Sequence, residues 1–236
     1  MFNGTIRNLV YRNRWASRRY FQYKKLKSFS ANSLDLKIEK YLGKKSGFYV
    51  EIGANDGLKQ SNTKILEMNS RWRGVLIEPA PEVFSNLVKN RTRDNFFFNC
   101  ACVSFSFVGD TIDLIYADLM TTAIGLESDL KSLEDHILSS EKYLKLGQVH
   151  KFQAEARTLN SILEEVNAPE IIEFFSLDVE GAELEILKGI DHYKYRFQYM
   201  LVECRNIEKL VDYLAPFGYK IKDKLSHHDY LFALDS

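Results

Sequence analysis

Phe48-Tyr-Val-Glu-Ile-Gly-Ala-Asn-Asp-Gly57 is an apolar run that carries one acid, Glu51, near its end and passes straight into a turn bounded by Gly53 and Gly57. Buried parallel strands read as near-continuous hydrophobic runs, and glycine lets a backbone turn sharply and approach a ligand closely. The spacing predicts a helix from about Gln60 through Met68 whose free N–H groups point into the same crevice. Asn55 and Leu58 stand where a dinucleotide fingerprint would carry its second and third glycines, so no close pyrophosphate contact is implied. A ligand with an adenosine and no pyrophosphate fits better, and S-adenosylmethionine is the common one.

Two later segments repeat the pattern. Gly74-Val-Leu-Ile-Glu-Pro79 is a short apolar strand ending in Glu78, where an acid can accept hydrogen bonds from ribose hydroxyls or simply be solvated. Phe174-Phe-Ser-Leu-Asp-Val-Glu-Gly-Ala-Glu183 is a strand that delivers Asp178, Glu180 and Glu183 to its C-terminal end ahead of a helix. Hydrophobic periodicity places strands near Phe48 to Ile52, Val75 to Glu78, Phe96 to Asn99, Phe174 to Asp178 and Met200 to Glu203, with helical patterns between them. That alternation predicts an α/β fold with a mainly parallel sheet, whose ligands bind at the carboxyl ends of the strands. A helix is expected over Ile207 to Leu214, then a terminal hairpin of Tyr219 to Lys222 and Tyr230 to Leu234. Val103 to Ala117 reads as an inserted β-hairpin turning at Val108-Gly-Asp110. Leu126, Leu130, Leu133, Ile137 and Leu138 then follow at helical spacing.

The segments Gly53 to Gly57, Ser61-Asn-Thr63, Trp72 to Phe84, Asn90-Arg91, Thr158 to Leu163 and Leu177 to Gly189 fall in order along the chain, and together they resemble the FkbM-type methyltransferases. The resemblance spans about Phe48 to Cys204, and its most specific block is Leu177-Asp-Val-Glu-Gly-Ala-Glu183. It implies a Rossmann-like class I methyltransferase fold: a doubly wound, mainly parallel seven-stranded sheet whose last strand inserts antiparallel, outside which the hairpin and helical pattern over about 103–150 reads as an insertion that could cover the active-site edge. It also implies an S-adenosylmethionine-dependent O-methyltransferase acting on sugar or polyketide hydroxyls. Asn160 stands where the family often has Asp.

Length and charge set the bounds. A chain of 236 residues can bury a substantial core as one α/β domain, here read as residues 41–236 behind a basic N-terminal arm over 1–40. Lys plus Arg equals Asp plus Glu, at 32 each, which gives no electrostatic case for nucleic acid as a partner. The arm differs: Arg7, Arg12, Arg14, Arg18, Arg19, Lys24, Lys25 and Lys27 precede the first acid, with Tyr11, Trp15, Tyr20, Phe21 and Tyr23 among them. Such a segment could rest on anionic lipid or an acidic partner, or dock on its own domain. Cys100, Cys102 and Cys204 lack scaffold-like spacing and read as packed thiols in a cytoplasmic protein. No secretory leader or membrane span is apparent.

Cofactor binding is assigned to the backbone of Gly53, Ala54, Asn55, Asp56 and Gly57, with Glu51 near the amino group of the methionine moiety and Glu78, followed by Pro79, on the ribose. Ser61 and Thr63 could bind the cofactor carboxylate or cap the next helix, and fold analogy puts Asn99, Cys100 and Ala101 beside the adenine. An alcohol is a poor nucleophile while protonated. Asp178 is the expected general base and also a cofactor contact, Glu180 is the second candidate, and Glu203 could join Asp178 around a divalent cation such as Mg²⁺. His136, His150, His227 and His228 are weighed as loop or substrate-side groups, and His192 as structural. A nicotinamide oxidoreductase and a cofactor-binding module without turnover are the competing readings.

Overall fold

The computed structural model describes residues 28–43, 46–69, 71–128 and 149–235. The basic arm before residue 28, the helix expected from Leu130 to Leu138, and His136 lie outside them.

The described chain builds a seven-stranded sheet and a smaller four-stranded one. The large sheet contains β1 (Ser46–Ile52), β2 (Arg71–Ile77), β3 (Phe96–Phe98), β8 (Ile171–Leu177), β9 (Arg196–Glu203), β10 (Tyr219–Lys224) and β11 (Asp229–Leu234), in the order β10-β11-β9-β8-β1-β2-β3. From β3 to β9 every pairing is parallel, whereas β11 runs antiparallel to both β9 and β10. The sheet is therefore mixed at one edge. Strand order reverses between β2 and β8 around β1, which opens a crevice at the carboxyl ends of β1 and β8.

Residues of β1 are buried from Phe48 to Ile52 because both faces of the sheet are covered. Phe48, Val50 and Ile52 enter one core with helices α4 (Leu159–Glu165), α5 (Glu183–Leu187) and α6 (Ile207–Leu214). Tyr49 enters the other, with α1 (Leu34–Leu42), α2 (Lys64–Asn69) and α3 (Pro81–Asn90). Leu34, Ile38 and Leu42 form one buried stripe on α1, so the packed body begins before residue 41. No helix of the described residues is long and apolar enough to cross a membrane.

Two local expectations fail. Val103 to Asp110 is a connection rather than half of a hairpin. It joins β4 (Cys100–Cys102) to β5 (Thr111–Tyr116), and these flank β7 (His150–Arg157) on opposite sides, β4 parallel and β5 antiparallel. Strand β6 (Thr122–Ala123) completes this small sheet. Helix α2 starts at Lys64, not Gln60, because Ser61, Asn62 and Thr63 are drawn into hydrogen bonds with Glu51 instead of helical ones.

Candidate functional site

A cavity of about 140 Å³ opens at the crevice between β1 and β8. Of the residues expected around a cofactor, Gly53, Asn55, Glu78, Pro79, Cys100, Ala101, Asp178 and Glu180 line it. Cys100 and Ala101 meet Leu114, Leu119 and Leu126 across an apolar wall, while Lys59 and Asp118, which form an ion pair, and Thr121 supply polar rim. The small sheet thus contributes a wall of the cavity, and Asp118, just beyond the end of an apolar strand, repeats the signal carried by Glu78.

Glu78 is buried, and its carboxylate accepts N–H groups from Asn55 at 3.0 Å and Ala80 at 2.9 Å. Burial pushes its pKa up to about 7 against the pull of those two donors. Asn99 does not line the cavity; its amide nitrogen donates to the Glu78 and Pro79 carbonyls and holds that turn in place.

The rest of the expected loop works from beneath. Gly53 and Gly57 have positive φ, +79° and +77°. A Cβ on Gly53 would lie 1.9 Å from the Asp178 carbonyl, and one on Gly57 would meet Leu87 and Arg91 at under 3 Å. Both glycines therefore serve close packing of strand and helix. Ala54 is in the core, and Asp56 caps its own turn by accepting the Leu58 and Lys59 N–H groups.

Glu51, Ser61 and Thr63 also lie off the cavity wall. Glu51 accepts from Ser61 Oγ, Thr63 Oγ1, the Asn62 N–H at 2.9 Å and Arg91 Nη1 at 3.2 Å. Ser61 Oγ in turn takes the N–H groups of Thr63 and Lys64 at the helix start. Arg91 is fully buried and reaches Glu67, the Gly57 carbonyl, Tyr49 Oη and Thr63 Oγ1 as well. Lys64, also fully buried, holds the other Glu67 oxygen at 2.7 Å. Burial alone would raise the Glu67 carboxyl, but Lys64 and Arg91 hold it down at about 2. These bonds engage Glu51 beneath the loop, and Ser61 and Thr63 act there as caps and loop anchors.

At the other end of the cavity the carboxylates are not balanced in this way. Asp178, Glu180 and Glu203 have oxygens within 4.8 Å of one another, a spacing that admits a divalent cation and that acidic groups also adopt without one. Glu180, with φ of +58°, pairs with Arg205 at 2.8 Å. Glu183 turns back to accept the Val179 and Gly181 N–H groups, so it closes the turn rather than facing the cavity. Burial, and then the Glu203, Glu180 and Glu183 charges, raise the Asp178 pKa well above the usual carboxylate range. One Glu203 oxygen is buried without a hydrogen-bond partner.

A second hollow, of about 180 Å³, shares Gln60, Asp178 and Glu203 with the first. Asn32, Asn62, Ser226, His227, His228 and Asp229 complete its polar lining. His227 and His228 thus reach the site from the hairpin turn between β10 and β11. His150 instead sits exposed on β7, its ring 5.1 Å from that of Tyr116. His192 is buried and stacked on Phe217; burial lowers its pKa to about 4, as suits a structural imidazole. Asn160 accepts the Asp191 N–H, so the amide present there is used in structure. Cys100, Cys102 and Cys204 are all buried.

Topology and cavity define a Rossmann-like α/β protein with its ligand crevice at the switch point beside β1. The methyltransferase FkbM domain matches residues 51–232, and the chain belongs to that family. No curated protein matches the sequence. Among solved structures, methyltransferase FkbM from Methylobacillus flagellatus KT is similar at 15% identity and a TM-score of 0.44, over 80% of this chain and 43% of that one. M. capricolum TrmK, in complex with S-adenosyl-homocysteine, aligns at 14% identity and a TM-score of 0.40, over 84% of this chain and 66% of its own. Aeropyrum pernix fibrillarin, with natively bound S-adenosyl-L-methionine, aligns at 16% and 0.38, over 80% and 66%. The chain spans less than half the length of the first of these proteins and about two thirds of the other two.

Proposed function

We propose that this chain is an S-adenosylmethionine-dependent O-methyltransferase that modifies a hydroxyl of a saccharide or glycan precursor. The observation that carries the reading is the position of Asp178, on the wall common to both hollows, with its proton affinity raised by its surroundings.

The residues present suit this cofactor. Glu78, pinned by two N–H donors, is placed to receive ribose hydroxyls, and Cys100, Ala101 and Leu114 offer an apolar slot for a base. Asp178, Glu180 and Glu203 gather carboxyl groups at the opposite end, where a cationic group would sit. Bound S-adenosylmethionine supplies a methyl group on a sulfonium, a leaving group that needs no acid. What remains for the chain is to orient the acceptor and remove its proton. Asp178 is assigned that proton, since a carboxyl with raised pKa is a stronger base once ionised. Glu180 is occupied by Arg205 and positions the turn.

A dinucleotide oxidoreductase needs a helix N-terminus at the glycine turn to receive a pyrophosphate. Here the helix begins only at Lys64, and the loop before it is bound to Glu51 and Arg91. Titration calorimetry with S-adenosylmethionine, S-adenosylhomocysteine and NADH tests the choice. Heat from the first two and none from NADH is expected; the reverse pattern would end the methyltransferase reading. Full methyl transfer in the presence of a chelator would exclude an exchangeable essential cation at Asp178 and Glu203.

A further inference from the structure

The assignments above leave most of the second hollow unused, and that hollow contains a feature that packing does not explain. Asn62 is 6% exposed, and its Nδ2 donates to Ser176 Oγ at 3.0 Å. In that amide orientation its Oδ1 has no hydrogen-bond partner. Leaving a buried acceptor unpaired is costly, and such groups in native structures call for a specific partner. Glu203, on the same wall, also carries an unpaired buried oxygen. Two acceptors without donors call for a molecule that brings hydrogen-bond donors.

The rest of the lining narrows its chemistry. Asn32 and the His227–His228 pair can donate or accept, which suits hydroxyl groups with their mixed capacity, while Ser226 Oγ is engaged within the turn by Asp229 and the His228 N–H. Asp178, Glu203 and Asp229 contribute carboxylates, and among the described lining residues there is no Lys or Arg to match them. An anionic group would meet three carboxyl groups there without a Lys or Arg among the described lining residues to receive it. Displacement at carbon also needs nucleophile and leaving group on opposite sides of the reacting centre, and Asp178 and Glu203 are shared by two separate hollows.

We propose that this second hollow is the acceptor site and that it takes an uncharged polyhydroxy molecule, with Asn62 Oδ1 receiving a hydroxyl other than the one presented to Asp178. The proposal rests on the methyltransferase reading and adds to it the entry face, the charge preference and the specificity-determining residue.

Methyl transfer to an acceptor panel tests it: neutral glycosides, the same glycosides with single hydroxyls removed in turn, uronic acids and sugar phosphates, and monohydric alcohols. Neutral glycosides should lead in kcat/KM. Removal of one non-reacting hydroxyl should cost the native chain about tenfold and Asn62→Ala less than about twofold, with S-adenosylhomocysteine affinity equal in both. Anionic or monohydric acceptors leading the panel, or the same loss on deoxygenation in both chains, would overturn the proposal. If Asn62→Ala loses its cooperative melt, His228→Ala substitutes for it. That variant should raise KM for the neutral glycoside about threefold without changing S-adenosylhomocysteine affinity, and an unchanged KM removes the hollow from acceptor binding. Cofactor binding without transfer to any member of the panel strikes the methyltransferase reading itself, and the acceptor assignment falls with it.

Discussion

Glu51 and Glu67 beneath the β1 turn, and Asp178 and Glu203 at the ends of β8 and β9, are both pairs of enclosed carboxylates, and the fold treats them in opposite ways. The first pair is matched by two fully buried cations, Arg91 and Lys64, and Arg91 reaches both acids. Among the described residues the second pair has no cation of its own, since Arg205 is paired with Glu180. Matched charge fixes a shape, here the loop that carries Gly57 and Ser61. Unmatched charge raises proton affinity and leaves a group ready to exchange a proton, which is a property of reacting sites.

The comparison breaks most sharply at Asp178. Asp178→Asn should lower turnover about 10²- to 10⁴-fold, as loss of a general base does, while leaving the melting temperature equal to or above that of the native chain because like-charge repulsion is relieved. Single-turnover methyl transfer and thermal melts read the two effects separately. In the native chain the rate should rise with pH through the elevated Asp178 pKa, since only the ionised carboxyl takes a proton. A variant with full turnover would move the base elsewhere.

Removing the shared cation from the matched pair should act the other way, on stability first. Arg91→Met leaves Glu51 in the core without its cation and Glu67 with Lys64 and the neutral donors Asn95 and Thr92, and breaking a buried ion network from one side costs about 3–5 kcal/mol. Urea unfolding measures it. A loss under about 1 kcal/mol would mean that the loop is held by packing around Gly57 and not by charge.

The two regions were unequally legible in the sequence. Strands β1, β8 and β9 show as largely apolar runs because they are covered on both faces, and the acids at their tips follow from the topology. Strand β7, His-Lys-Phe-Gln-Ala-Glu-Ala-Arg from 150 to 157, has only Ala154 buried, so its pattern carried too little hydrophobic signal to read. Asp178 and Glu78 could be singled out from local context. Arg91 could not, because its meaning lies in Glu51, 40 residues away, and in loop carbonyls that only the fold brings near. The same long-range bonds delayed the helix expected at Gln60. Asn62 was visible within Ser61-Asn-Thr63, but only the structure distinguishes its unpaired oxygen from its paired nitrogen.

Glu78 lies between the two extremes, an acid with neutral donors and no cation, and it sharpens the comparison with a smaller effect. Its pKa rises from 4.5 in the open chain to about 7 in the fold. The folded state therefore holds this proton more tightly. The resulting stabilisation is fully present below pH 4.5, declines as pH rises, and is gone above about 7. From the size of the shift the swing is on the order of 3 kcal/mol as an upper figure. Glu78→Gln cannot ionise, so the stability of the native chain relative to this variant should fall between pH 5 and pH 8 by that order. Subtracting the variant's profile also removes the contribution of Asp178, which has the same sign. Parallel profiles for the two chains would show that Glu78 is already ionised across this range, with the Asn55 and Ala80 donors alone sufficient to hold its charge.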